Sequence, residues 1–197
     1  MAALVPPVAD ERAGLLGFLA QQRHVLRVTA HGLTDEQARA TPSASALSVG
    51  GLIKYAALTE RNWIARVGQQ PAGGSDGYEA GFTLGPDETR QSVVELSSLV
   101  ATETEAVIVG IADLGQPVSV PRDAPWYPRD IDTWSVRWVL LHLLEETARH
   151  AGHADIVRES LDGATPTRSW PPPRAGPPPS GCSPGRRPEP RRVRVRL

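Results

Sequence analysis

The chain has 197 residues, a formal net charge of −1 and a single cysteine. That length suits one domain with a sizeable core, and no stretch approaches the roughly 20 apolar residues needed to span a bilayer. The charge is unevenly spread: residues 163–197 carry eight arginines against Glu189, or +7, which leaves −8 on the other 162 residues. An acidic body argues against general nucleic-acid binding, because phosphate contacts need clustered cations. Met1 to Val8 is apolar but holds two prolines and no basic residue, unlike a secretory leader. Cys182 cannot close an internal disulfide, so a cytoplasmic protein is expected. Arginine dominates the cations, with Lys54 the only lysine, as a G/C-rich coding sequence produces.

Apolar residues at helical spacing predict a first helix from about Val8 to Ala30, ended by Gly32. A single turn follows at Leu33–Ala38 with Thr34 as N-cap, and Pro42 stops it. The second long helix opens at Ser48 and runs through Val67. Gly68 to Gly85 reads as a glycine-rich loop. The third helix is expected from Pro86, with Asp87 and Glu88 at its positive end, through Ile111. A proline-rich crossover spans Gly115 to Asp132 and includes Trp126-Tyr127. The last helix is expected from Thr133 to Leu161, with Gly163 beyond its end and Ile156 on its apolar face. No strand signal stands out. The expectation is an all-α four-helix bundle with a long crossover before the last helix.

From Thr165 onward the character changes, with ten of the nineteen prolines and a basic terminus, Arg191 to Leu197. Residues 1–163 are therefore expected to form the bundle and 164–197 a disordered Pro/Arg-rich tail. Two readings of the tail stay open: a tether to an anionic surface or nucleic acid, and translation from a shifted reading frame.

Within the last helix, Glu146 and His150 are four residues apart. A helix stacks such a pair on one face with Cβ atoms roughly 5–6 Å apart. Carboxylate oxygen and imidazole nitrogen are ligands that divalent transition metals accept, and catalytic sites commonly use three protein ligands plus water. His153 offers a further ligand or an outer partner, and His142 a lower-ranked one. The plainer alternative is a solvated or hydrogen-bonded Glu/His face without a metal.

The segment Trp138-Val139-Leu140-Leu141-His142-Leu143-Leu144-Glu145-Glu146-Thr147-Ala148-Arg149-His150-Ala151-Gly152-His153-Ala154-Asp155 closely resembles the last helix of the DinB/YfiT-like superfamily. It looks most like the actinobacterial DUF664 branch, which includes the mini-circle proteins. Ser48-Val49-Gly50-Gly51-Leu52-Ile53-Lys54-Tyr55 through Glu60-Arg61-Asn62-Trp63 is similar to the family's second helix. The resemblance covers about residues 10–163. It implies a four-helix bundle whose divalent metal, zinc or nickel, is held by a His of the second helix and two ligands of the fourth. The latter fall on Glu146 and His150, a pair resembling that of mycothiol-dependent maleylpyruvate isomerases. The former falls on Tyr55, where the family normally has His.

A phenol, with an unperturbed pKa of about 10, binds metal weakly unless ionised. Three outcomes stay open: Tyr55 as ligand, Tyr55 hydrogen-bonded to a metal-bound water, or a bundle that has lost its metal. The resemblance implies metal-dependent use of a low-molecular-weight thiol, mycothiol above all, in S-transfer or isomerisation. Apart from the resemblance, Arg61 and Arg137 are candidates for binding a substrate carboxylate, the plainer alternative being solvated surface arginines. The alternative is a non-catalytic bundle acting by dimerisation or small-ligand binding. A homodimer is expected by analogy, with no membrane partner and nucleic acid only through the tail.

Overall fold

The computed structural model describes residues 4–70, 78–122 and 127–164. Its elements are α1 (Glu11–Val28), α2 (Asp35–Arg39), α3 (Val49–Val67), α4 (Tyr78–Gly81), α5 (Arg90–Gly110), β1 (Pro117–Ser119), β2 (Thr133–Ser135) and α6 (Val136–Asp162). The expected all-α bundle is present, built on α1, α3, α5 and α6. The expected tail, beyond Ala164, lies outside the described residues, as does Trp126.

Helix starts follow side-chain capping of the free N–H groups. Asp10 accepts from the Ala13 N–H at 2.8 Å, so α1 begins after Val8. Thr34 and Gln37 form a reciprocal capping box on α2, and the Gly51 N–H donates to Ser48 Oγ at 3.1 Å.

Four sequence expectations are corrected. α5 starts from Thr89, boxed with Ser92, rather than at Pro86. Glu88 is engaged elsewhere, accepting from the Gly85 N–H at 2.5 Å and the Lys54 ammonium at 2.8 Å. α6 starts from Ser135, whose Oγ accepts from the Trp138 N–H at 3.1 Å. Thr133 instead belongs to β2, which pairs antiparallel with β1, Val118 facing Trp134. A short helix, α4, also interrupts the expected glycine-rich loop. The left-handed backbone of Gly163, at φ +71°, closes α6 as expected.

α1 packs on α6, α6 on α3, α3 on α5, and α5 closes back on α1. The core has two apolar clusters. One gathers Leu19, Trp63, Ile64, Ile108, Val118, Val136, Leu140 and Leu143 around the β-hairpin. The other gathers Leu26, Val49, Leu52, Ile53, Val93, Ala151, Ala154 and Val157. The order of these residues shows α1 and α6 running from the first cluster to the second, and α3 and α5 running back. The connection before α6 thus begins and ends at the hairpin end.

Between the clusters lies a polar layer. Arg23 and Glu60, each 3% exposed, form a bidentate pair at 2.9 and 2.6 Å. The hydroxyl of buried Thr104 donates to the same carboxylate, and Arg27 donates to Ser97 Oγ at 3.2 Å. Burial so close to Arg23 pulls the Arg27 guanidinium below its ordinary pKa. Buried charges survive only when paired and hydrogen-bonded; Arg23 and Glu60 are paired through two hydrogen bonds, while Arg23 Nη1 is buried without a hydrogen-bond partner among the described residues. Ile156, placed by its spacing on the apolar face, is 57% exposed and faces outward.

Candidate metal and thiol site

α6 carries the candidate ligands past the polar layer toward the second cluster. Its long unbroken helix holds Glu146 and His150 one turn apart, with Oε2 and Nε2 at 3.4 Å. Their side chains are 27% and 13% exposed. Contact with His150 holds the Glu146 carboxyl below its ordinary pKa despite partial burial, aided by charge from His142 and Arg149. Glu146 is therefore a carboxylate at neutral pH. The other ring nitrogen of His150, Nδ1, is buried without a hydrogen-bond partner among the described residues.

These two groups fit a divalent metal. Two ligands each about 2.0–2.1 Å from a tetrahedral zinc ion stand about 3.4 Å apart, the separation observed here. An anionic oxygen and an imidazole nitrogen also match the ligand preference of zinc and nickel.

Residue 55 reaches the pair from α3. The Tyr55 ring meets His150 edge-on, with centroids 5.0 Å apart and planes at 76°. One face of the ring is stacked on Phe82 at 3.8 Å and 13°, and Phe82 in turn lies 5.8 Å from the His150 ring. The structure thus sets the Tyr55 and Phe82 rings against His150, which in turn meets Glu146. Phe82 was not visible in the sequence, because a scattered aromatic in a glycine-rich stretch carries no periodicity.

The remaining candidates stand apart from His150. His153 Nε2 is 3.1 Å from Ser45 Oγ, tying α6 to the segment before α3. Arg61 pairs with Glu103 at 3.2 Å at an α3–α5 groove of about 160 Å³ lined by Ile64, Val100 and Val107. Arg137 is paired with Glu11 at 2.5 and 3.0 Å, nine residues or roughly 13 Å before Glu146 along the helix. Both guanidiniums are already matched to carboxylates.

On the other side of Glu146 lies a second constellation. Ligand atoms of His142, Glu145 and Glu146 all fall within 4.8 Å of one another. His142 stacks on Trp138 at 5.0 Å and takes the edge of Trp63 at 5.3 Å, while Nδ1 stands 3.7 Å from Glu145. Glu146 therefore sits between two imidazoles. Glu145 gave no separate signal in the sequence, since adjacent carboxylates are common on solvated helix faces.

No protein of curated function matches the chain. A crystal structure of a conserved protein from Enterococcus faecalis aligns with a TM-score of 0.63 and 13% identity, covering 80% of this chain and 100% of that one. That likeness is one of fold alone. Among the described residues, no helix is long and apolar enough to cross a membrane. The model of the mycothiol-S-transferase family matches residues 14–163, most of the chain and every element from α1 to α6, so the chain belongs to that family within the DinB-like superfamily.

Proposed function

We propose that the protein binds a divalent metal, zinc or nickel, through Glu146 and His150, with Tyr55 at the third position, and uses it to activate mycothiol for S-transfer or isomerisation. The observation that carries the reading is the 3.4 Å separation of Glu146 Oε2 and His150 Nε2. A bound metal would lower the pKa of the thiol and favour the thiolate. The chain's residues supply the setting. Glu146 offers the negative charge and His150 an imidazole nitrogen, with the Tyr55 and Phe82 rings packed beside that imidazole. The DUF664 branch, the cytoplasm, the 1–163 bundle boundary and a homodimer belong to the same proposal.

Metal content per chain is the first measurement. About one zinc or nickel per chain, lost in the paired E146Q/H150A variant, is expected, with metal-dependent conjugation of mycothiol to a reactive electrophile. A metal-free protein with no conjugate would overturn the proposal. Tyr55→His should raise zinc affinity tenfold or more, about 1.4 kcal/mol.

A second reading has its own support. The Tyr55–Phe82 stack packs residue 55 as an apolar ring, as in a bundle that keeps the fold and serves as a small-ligand binder or dimer. It predicts metal binding only after Tyr55→His.

A further inference from the structure

The segment from Gly81 to Gly85 lies directly on the first turns of α3. A Cβ built on Gly51 would sit 1.8 Å from the Phe82 carbonyl oxygen, and one on Gly50 would meet Leu84 Cδ1 at 2.6 Å and the Ala38 carbonyl at 2.9 Å. Only glycine at both positions permits that approach. Lys54 fastens the far side, donating to the Thr83 carbonyl at 3.0 Å and to Glu88 at 2.8 Å. Gly81 leaves room for the Tyr55 ring, whose Cδ2 would stand 3.3 Å from an added Cβ. The backbone of the segment is thus fixed on α3 from several sides.

What this docking delivers is Phe82. Stacked at 3.8 Å on one face of Tyr55, it leaves the edge of that ring to the T-shaped contact with His150. Stacked aromatic rings prefer one mutual arrangement over others, which biases a ring that turns about two bonds. We infer that Phe82 is a positioning residue: docked through Gly50 and Gly51, it holds the Tyr55 ring against His150 and so governs what residue 55 contributes to the site. The consequence for metal binding rests on the proposed function; the consequence for ring geometry does not.

The test uses the full-length protein with Co²⁺ as probe. Phe82→Ala is expected to weaken Co²⁺ binding about tenfold and to shift its visible absorption bands. Phe82→Tyr, which keeps the ring, restores both. Gly51→Ala, which leaves every site side chain intact, reproduces the loss. A lower Tm in Phe82→Ala with unchanged Co²⁺ affinity and bands would overturn the inference. Phe82→Leu replaces it should that variant fail to fold.

If the wild-type protein takes up no Co²⁺, the metal reading fails and the positioning is read without metal. The His150 Hε1 resonance is then compared in Phe82→Ala, Tyr55→Ala and the double variant. Non-additive shifts, the signature of residues acting through one another, are expected. Additive shifts would sink the inference.

Discussion

Removing the Glu60 carboxylate is the most informative perturbation of the scaffold. In Glu60→Ala, Arg23 keeps its 3% exposure but loses both hydrogen bonds, at 2.9 and 2.6 Å. Its remaining acid, Glu105, is 3.6 Å from Nη1 and half-exposed. Thr104, fully buried, loses its acceptor as well. Removing one partner of a buried ion pair costs about 3–5 kcal/mol, because the other charge remains desolvated. In a domain of this size that lowers Tm by roughly 6–20 °C. Urea unfolding followed by tryptophan fluorescence, with five tryptophans as reporters, measures the change. The triple variant R23M/E60L/T104V, in which no charge is stranded, should regain most of the loss. A cost below about 1 kcal/mol for Glu60→Ala would refute the reasoning, since a pair so deeply buried cannot be that dispensable.

Two predictions concern pH. In metal-free protein the depressed Glu146 pKa contributes stability that is present above its ordinary value of 4.5 and lost as pH falls through the lowered one. Glu146→Gln should therefore flatten the acid limb of Tm against pH, and an unchanged limb would contradict the His150 contact. Asp155 behaves oppositely. Its Oδ1 is buried without a hydrogen-bond partner among the described residues, and burial, with Glu159 nearby, pushes its carboxyl up. The ionised form therefore opposes folding, and that penalty fades as pH falls through the raised value. Asp155→Asn should raise Tm by about 1–2 °C at pH 7 and converge with wild type in acid. Greater stability of wild type at pH 7 would count against it.

Much of the bundle was legible because its signals are local. Thr34, Ser48 and Gly163 act as caps through their own side chain or lack of one, and apolar spacing marked all four long helices. α5 was misplaced by its acidic Asp87 and Glu88. A favourable dipole position says nothing about what a carboxylate prefers, and Glu88 is taken by Lys54 and Gly85. The β-hairpin escaped because three residues per strand, with only Val118 buried in β1, are too few to show alternation. Glu146 and His150 were readable as an i, i+4 pair. Arg23 was not readable as interior, since a charged residue on a helix reads as solvated until its partner, 37 positions away, is in place. The same holds for Phe82, whose role exists only once the chain has folded back over Gly51.

The polar layer also bears on how such a protein can change over generations. Sliding α1 against α3 by one turn, about 5.4 Å, would strand both charges among aliphatic side chains, so the helices keep their alignment whatever happens at either end. Tyr55 and its neighbours lie on one side of that barrier, and the hairpin with Trp134, packed against Trp63 and Trp138, on the other. Substitutions can accumulate around residue 55, abolishing or rebuilding chemistry there, while the opposite half goes on holding the molecule together. Under the proposed function, residue 55 stands in the half that is free to vary.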